Sequence, residues 1–116
     1  MTSIFERIIA REIPADLVYE DDLVIAFRDI APRAPVHLLV VPKTPEYENV
    51  VELAAGDPAL LAHVVATANE LAAVHTGGDF RLVFNTGEGA GQTVFHVHAH
   101  LMGDRAGLAE GSLVEL

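Results

Sequence analysis

The sequence predicts an α+β domain, with a mainly antiparallel five-stranded sheet and one long and one short helix. Three observations carry that expectation. Apolar residues recur at helical spacing in two separated stretches. Short β-rich runs lie between and after them. The connections are of hairpin length except around the longer helix, so few crossovers could support parallel pairing. At 116 residues, 51% of them hydrophobic, one domain fits, burying roughly two-thirds of the surface its unfolded chain exposes.

Ser3 and Glu6 form an S-x-x-E capping box, and Phe5, Ile8 and Ile9 follow at helical spacing, which predicts a short helix over residues 4–11. Ile13-Pro14 stops it, because the residue before a proline avoids helical backbone angles. Leu17–Glu20 and Leu23–Arg28, split by Asp21-Asp22, read as a hairpin. Pro32 and Pro35 mark a turn, and His37–Val41 is a continuous apolar strand of the kind buried on both faces. Pro42, Pro45 and the polar Glu46–Asn49 form a loop, with one helical turn over Val50–Ala55. Asp57 is a cap followed by Pro58 at the first helical position. From there Leu60, Leu61, Val64, Val65, Ala68, Leu71, Ala72 and Val74 carry a long amphipathic helix over residues 58–76, closed by Gly77-Gly78. Phe80–Asn85 is a strand, residues 86–93 (TGEGAGQT) a glycine loop, and Val94–Met102 the last strand. The domain is expected to span residues 1–103, with 104–116 as a tail.

Charge narrows the partners. Seventeen acids oppose seven bases for a net charge of −10, and the bases are six Arg and the single Lys43. Binding a nucleic acid duplex needs a basic face to neutralise phosphates, which excludes that partner, and an acidic membrane surface is excluded by the same sign. A small anion is still admissible, since backbone N–H groups and imidazoles can hold phosphate locally. No Cys is present, which removes disulfides, thiol nucleophiles and Cys-ligated metals, and is compatible with a reducing, cytoplasmic setting. Glu6, Arg7, Arg11 and Glu12 interrupt the first apolar stretch, so it reads as neither secretion signal nor membrane span.

Three of the six histidines lie in register at 96, 98 and 100. On a strand, side chains two apart share a face at roughly 6.5–7 Å, so the three rings would line one face while Val97, Ala99 and Leu101 turn to the core. A merely solvated strand would carry mixed Thr, Lys, Glu or Ser at such places. Two chemistries suit three aligned imidazoles: metal ligation, since H-x-H on a strand is a zinc geometry, and nucleophilic catalysis by a neutral ring on phosphorus. The glycine loop leading into the histidines favours the second. Its backbone can adopt positive φ, approach a ligand and aim N–H groups at an anion. It is neither a P-loop nor a dinucleotide fingerprint, as no Lys-Ser/Thr and no helix follow.

Residues 91–102, GQTVFHVHAHLM, resemble the H-φ-H-φ-H-φ-φ signature of the histidine-triad (HIT) nucleotide-binding proteins. The resemblance extends in order through IFERIIAREIPA at 4–15, AFRDIAPRAPVHLLVVPK at 26–43 and FRLVFNTG at 80–87, and is strongest to the Hint branch of purine nucleoside phosphoramidases. It implies a homodimeric nucleotide hydrolase acting on AMP–X compounds, with helix 58–76 or strand 80–85 at the dimer interface and no cofactor. A dinucleoside polyphosphate hydrolase and a non-catalytic purine nucleotide-binding module are the alternatives it leaves. By motif, His98 would be the nucleophile that forms a nucleotidyl-histidine. His100 would hold phosphate oxygens and assist the leaving group, and His96 and His37 would buttress and orient the site. Asp29 would bind ribose hydroxyls, Phe27 and Ile30 would flank the base, and Asn85, Gly91, Gln92 and Thr93 would contact the phosphate side.

Two departures stand out. Many bacterial relatives carry a C-x-x-C half of a zinc site where this chain has Ser3 and Glu6, so no metal is expected. The chain also lacks the Trp-containing C-terminus that shapes the leaving-group pocket of the best-known Hint proteins. His63 is expected on a helix face, His75 as a favourable cation at a helix C-terminus when protonated, and Arg28 as a solvated strand-end residue.

Overall fold

The computed structural model describes residues 2–105. Its elements run α1 (Ile4–Ile9), β1 (Leu17–Glu20), β2 (Val24–Arg28), β3 (Val36–Pro42), α2 (Val50–Gly56), α3 (Pro58–His75), β4 (Arg81–Val83), a 3₁₀ turn (Glu88–Ala90) and β5 (Ala99–Gly103). The five strands form one sheet in the order β1-β2-β3-β5-β4, every neighbouring pair antiparallel. The α+β class and the antiparallel sheet are as the sequence predicts. The expected tail lies outside the described residues from position 106 onward.

Local chemistry accounts for each element. The Ser3 side chain accepts from the Glu6 N–H at 3.1 Å and starts α1. That helix ends at Ile9 rather than residue 11, because Arg11 takes a left-handed conformation (φ 63°) and forms an ion pair with Glu20. Asp21 builds the β1–β2 turn by accepting from the N–H groups of Leu23 and Val24. Its other oxygen binds the Tyr19 hydroxyl and His63, both at 2.7 Å, so the helix-face histidine of α3 ties that helix to the hairpin. In place of a single helical turn, α2 is a capped helix. Asn49 accepts from the Glu52 N–H, and the Glu52 carboxylate reaches back to the Glu48 N–H. Asp57 then closes α2 and caps α3 by accepting from Leu60. His75 lies in the last turn of α3, and burial, then the Arg28 and Arg105 guanidinium groups, lower its pKa. Arg28 pairs with Asp16 at 3.2 Å and Lys43 with Glu20 at 2.8 Å. Such surface pairs contribute little to stability.

Register divides the sheet into two unlike faces. Ala26, Val40, Ala99, Leu38 and Leu101 pair across strands and point to one side. There Leu53 of α2 and Leu60, Val64, Ala68, Leu71 and Ala72 of α3 cover them. Ile25, Val41, Phe27 and Leu39 point to the other side, where Phe5 and Ile8 of the short α1 are buried against them and Ile9, Ile13, Ala15 and Val94 pack around the cluster partly buried. His37 shares that face with Leu39, and His100 is the cross-strand partner of Leu39. A six-residue helix is too short to cover this face, so the strip carrying the histidines stays open.

The last two strands are shorter than expected. β4 stops at Val83, and Val94–His98 make no ladder. Pro42 has no N–H to continue the pairing of β3, and its carbonyl accepts from His96 Nε2 instead. The Val97 N–H goes to the Tyr47 carbonyl, and the Val94 carbonyl accepts from Gln92. The segment before β5 is thus bonded to loops, which frees its side chains from sheet geometry.

Truncating the central strand should show how far the fold depends on the helix-covered face. Leu38 is fully buried there, so Leu38→Ala should cost about 2–5 kcal/mol, read from the midpoint of a urea unfolding curve; a loss below 1 kcal/mol would contradict this packing.

Candidate active site

A cleft of about 330 Å³ opens on the α1 face and is lined by Asp29, His37, Asn85, Gly91, Thr93, His98 and His100, together with Ala31, Arg33 and Ala90. Seven positions singled out from the sequence are therefore brought together. Four are not among the lining residues. His96 is 1% exposed, beneath the surface. Phe27 is buried in the small apolar cluster, edge-on to Phe5 at 5.7 Å between ring centroids, whereas Ile30 is 98% exposed. Gln92 is buried and wholly occupied: its Oε1 accepts from the Gly87 N–H, and its Nε2 donates to the carbonyls of Glu48 and Val94. The expectation of three rings lining one strand face needs correction, because only His100 lies on a strand and His96 points inward.

In all four clustered imidazoles burial favours the neutral form. Burial is the largest cause in each case and lowers the pKa of His37, His96, His98 and His100. His100 is pushed down to about 4, with His98 and His37 adding to the effect and Asp29 opposing it. For His98 the bond to the His96 carbonyl opposes burial in part, and for His96 the bond to Pro42 does so.

A neutral imidazole has one N–H, so its hydrogen-bond partners dictate where the proton sits. The Arg33 backbone N–H donates to His37 Nδ1 at 3.0 Å, so that nitrogen carries no proton. His37 must hold its proton on Nε2, which donates to His100 Nδ1 at 2.9 Å, with the Asp29 carboxylate 3.4 Å away. The proton of His100 is then left on Nε2. His98 has the opposite arrangement: its Nδ1–H donates to the His96 carbonyl at 2.9 Å, leaving an unprotonated Nε2 with its lone pair. Two rings with centroids 5.1 Å apart thus hold complementary groups, an acceptor on His98 and a donor on His100. Phe5 packs edge-on to His98 at 4.8 Å.

The structure adds Arg33 and Phe5 to the residues expected from the sequence. Arg33 acts through its main chain, and the only sign of it was the tight spacing of Pro32 and Pro35 around it. Phe5 was visible as an apolar helix position, with nothing in the sequence to mark it as touching a catalytic candidate.

The glycine loop departs from the expected array of inward-pointing donors. Gly87 and Gly91 have φ of 90° and 93°, which only glycine adopts freely. The N–H groups of Ala90, Gly91 and Gln92 are used on carbonyls of the loop itself, and that of Gly87 on the Gln92 side chain. The loop is consequently a braced wall to the cleft. Asp29, His37 and His100 each bring one possible ligand atom within 4.8 Å of the others. Within this cluster the His37 Nε2–H and His100 Nδ1 are joined by a hydrogen bond.

The neutral rings carry a pH signature. Imidazoles in the unfolded chain titrate near ~6.5. Above that value both states are neutral and the rings' contribution to stability is fully present. As pH falls below it, the unfolded chain takes up protons that the folded rings resist, and stability declines until the folded value, about 4 for His100, is passed. His100 contributes up to about 1.4 kcal/mol per pH unit in this window. The thermal midpoint should therefore change less steeply between about pH 7 and pH 5 in His100→Asn than in the unsubstituted chain; parallel curves would mean that folding does not hold His100 neutral.

Known proteins resemble the chain in sequence and in fold. The HIT domain family model matches residues 10–107. A HIT-like protein of Synechococcus elongatus is 55% identical over 106 residues, covering 90% of this chain and 91% of the relative. The purine nucleoside phosphoramidase of Escherichia coli is 42% identical over 105 residues, covering 89% of this chain and 87% of that protein. The solved HIT family hydrolase from Clostridium thermocellum superposes with a TM-score of 0.84 at 41% identity, over 95% of this chain and 94% of that one. Matched over most of its length in both sequence and fold, the chain belongs to the HIT domain family.

Proposed function

We propose that this protein hydrolyses purine nucleoside phosphoramidates in two steps through a covalent nucleotidyl-histidine at His98. One observation carries the reading: the His98 Nδ1–H bond to the His96 carbonyl leaves Nε2 as a lone-pair nucleophile. The names of the similar proteins support the substrate class, the Escherichia coli relative being a purine nucleoside phosphoramidase and the Clostridium thermocellum one a hydrolase.

In the first step His98 Nε2 attacks phosphorus. A bond from that nitrogen to phosphorus forms as the bond to the leaving amine breaks, and the leaving nitrogen takes one proton from solvent at the cleft mouth and departs as the neutral amine. Water then attacks the same phosphorus and returns one proton to solvent, the bond to His98 breaks with its electron pair going back to Nε2, and the nucleoside monophosphate is released. Phosphoryl transfer depends chiefly on positioning and charge stabilisation. The His100 Nε2–H donates to a phosphate oxygen, and His37 keeps that proton in place through His100 Nδ1. With its pKa near 4, His100 acts at neutral pH as a hydrogen-bond donor and not as a cation.

Asp29 offers carboxylate oxygens to ribose hydroxyls, while one of them accepts from the Ala31 N–H. Of the two residues expected at the base, Ile30 presents apolar surface, and Phe27 supports the cleft from within the small cluster. Asn85, Gly91 and Thr93 face the phosphate side. Gln92 braces the loop and is not assigned to phosphate. His96 buttresses His98 through its carbonyl.

A homodimer is part of the same proposal. Strand β4 is a sheet edge of three residues. The outward face of α3 is largely apolar, with Val65 42% and Val74 63% exposed and Ala62, Ala66 and Ala73 beside them. The absence of cysteine suits a reducing, cytoplasmic setting.

Two measurements test these statements. Rapid quenching with adenosine 5′-phosphoramidate should yield an adenylyl adduct by intact mass, and His98→Ala should lose both adduct and several orders of magnitude in turnover while still binding AMP. Turnover retained by His98→Ala would eliminate the covalent route, and AMP binding without any adduct in the unsubstituted chain would point to a binding module. Light scattering should give twice the chain mass, reduced to a single chain by Val65→Glu; a monomer at micromolar concentration would remove the dimer.

A further inference from the structure

We propose that Ser3 is a positioning residue for the nucleophile: while capping α1, its hydroxyl donates to Nδ1 of buried His96 and holds that ring as the neutral Nε2–H tautomer behind His98. This rests on the reading of His98 as nucleophile, but its central observation is independent of any reaction.

The hydrogen bonds form a directed chain. The Glu6 N–H donates to Ser3 Oγ at 3.1 Å, so the serine oxygen is an acceptor there. Its single proton is free to point at His96 Nδ1, 3.4 Å away. His96 Nε2 donates to the Pro42 carbonyl at 2.6 Å. The His96 carbonyl in turn accepts from His98 Nδ1 at 2.9 Å. A buried acceptor without a donor is costly, and Ser3 is the side chain that supplies one to Nδ1.

Helix α1 reinforces the arrangement, since Phe5 packs edge-on to both rings, with centroids 6.0 Å from His96 and 4.8 Å from His98. The charged group acting on His96 from α1 is Glu6, which favours protonation. His98 lies next to His96, and His98 itself faces Asp29 and His100. Were His96 to gain a second proton, a cation would sit behind His98 and draw electron density from its lone pair. The serine proton opposes that gain, because it occupies the nitrogen that would be protonated.

The test separates capping from proton placement. Aspartate caps a helix as well as serine does, but an ionised carboxylate has no proton to give and attracts one to Nδ1. Nitrogen-15 spectra of the histidine rings, recorded on the full chain at neutral pH, should show His96 protonated on Nε2 alone. In Ser3→Asp the ring should carry protons on both nitrogens. With adenosine 5′-phosphoramidate as substrate, the kcat of Ser3→Asp should fall about tenfold with KM within a factor of about two, and the acid limb of its pH profile should move to higher pH. Ser3→Thr, which keeps both acceptor and donor, should restore the single-proton spectrum and the rate. A purely structural cap would leave Ser3→Asp with normal kcat and an unaltered pH profile.

A proton on His96 Nδ1 in the unsubstituted chain would overturn the proposal, as would a Ser3→Asp protein whose His96 spectrum and kcat are unchanged. Should Ser3→Asp not fold, the spectrum of the unsubstituted chain decides. Should the chain turn over no phosphoramidate, the nucleophile reading fails while the ring spectra still decide whether Ser3 donates to His96.

Discussion

One proton per neutral imidazole is the constraint on which the candidate site depends. Four rings gathered in and beneath one cleft would repel one another if charged, and burial prevents that by lowering each pKa. Once neutral, every ring must choose which nitrogen donates. Three main-chain groups and one serine make the choice: the Arg33 N–H, the carbonyls of Pro42 and His96, and the Ser3 hydroxyl. Opposite assignments at His98 and His100 give an electron pair and a donor side by side.

The fold provides this through an asymmetry between the two faces of its sheet. On one face α2 and α3 bury a continuous apolar layer. On the other, α1 covers one patch with Phe5 and Ile8, and the neighbouring strip holding His37 and His100 stays open. The short helix thus does two things at once: it completes the small core, and its first turn reaches the residues behind His98. Surface ion pairs such as Arg28–Asp16 and Lys43–Glu20 decorate the periphery and carry little of the stability.

Much of this was legible in one dimension. Capping residues at Ser3 and Asp57, the Asp21-Asp22 turn and the helical spacing from Leu60 to Val74 are local signals, and the elements they announce are present. The alternation of Val97, Ala99 and Leu101 with the histidines also persists, since the former are buried on the helix side. Where local reading failed, a distant partner had intervened. The strand expected from Val94 starts at Ala99, because Pro42 and Tyr47 capture the backbone and ring groups of residues 96 and 97. Gln92, expected at a phosphate, is held by Gly87, Glu48 and Val94. The pKa of His75, expected to favour a helix C-terminus when protonated, is lowered first by burial and then by Arg28 and Arg105.

From the order of its residues alone, then, the chain determined its fold class, its acidic character and the set of candidate histidines, because periodicity, capping and residue type are properties of neighbours. What only the folded molecule decided was which ring faces the cleft, which nitrogen of each ring holds its proton, and which polar side chains are already satisfied. Those outcomes depend on hydrogen bonds between positions as far apart as Ser3 and His96 or His37 and His100. Such bonds exist only where the fold brings distant segments together.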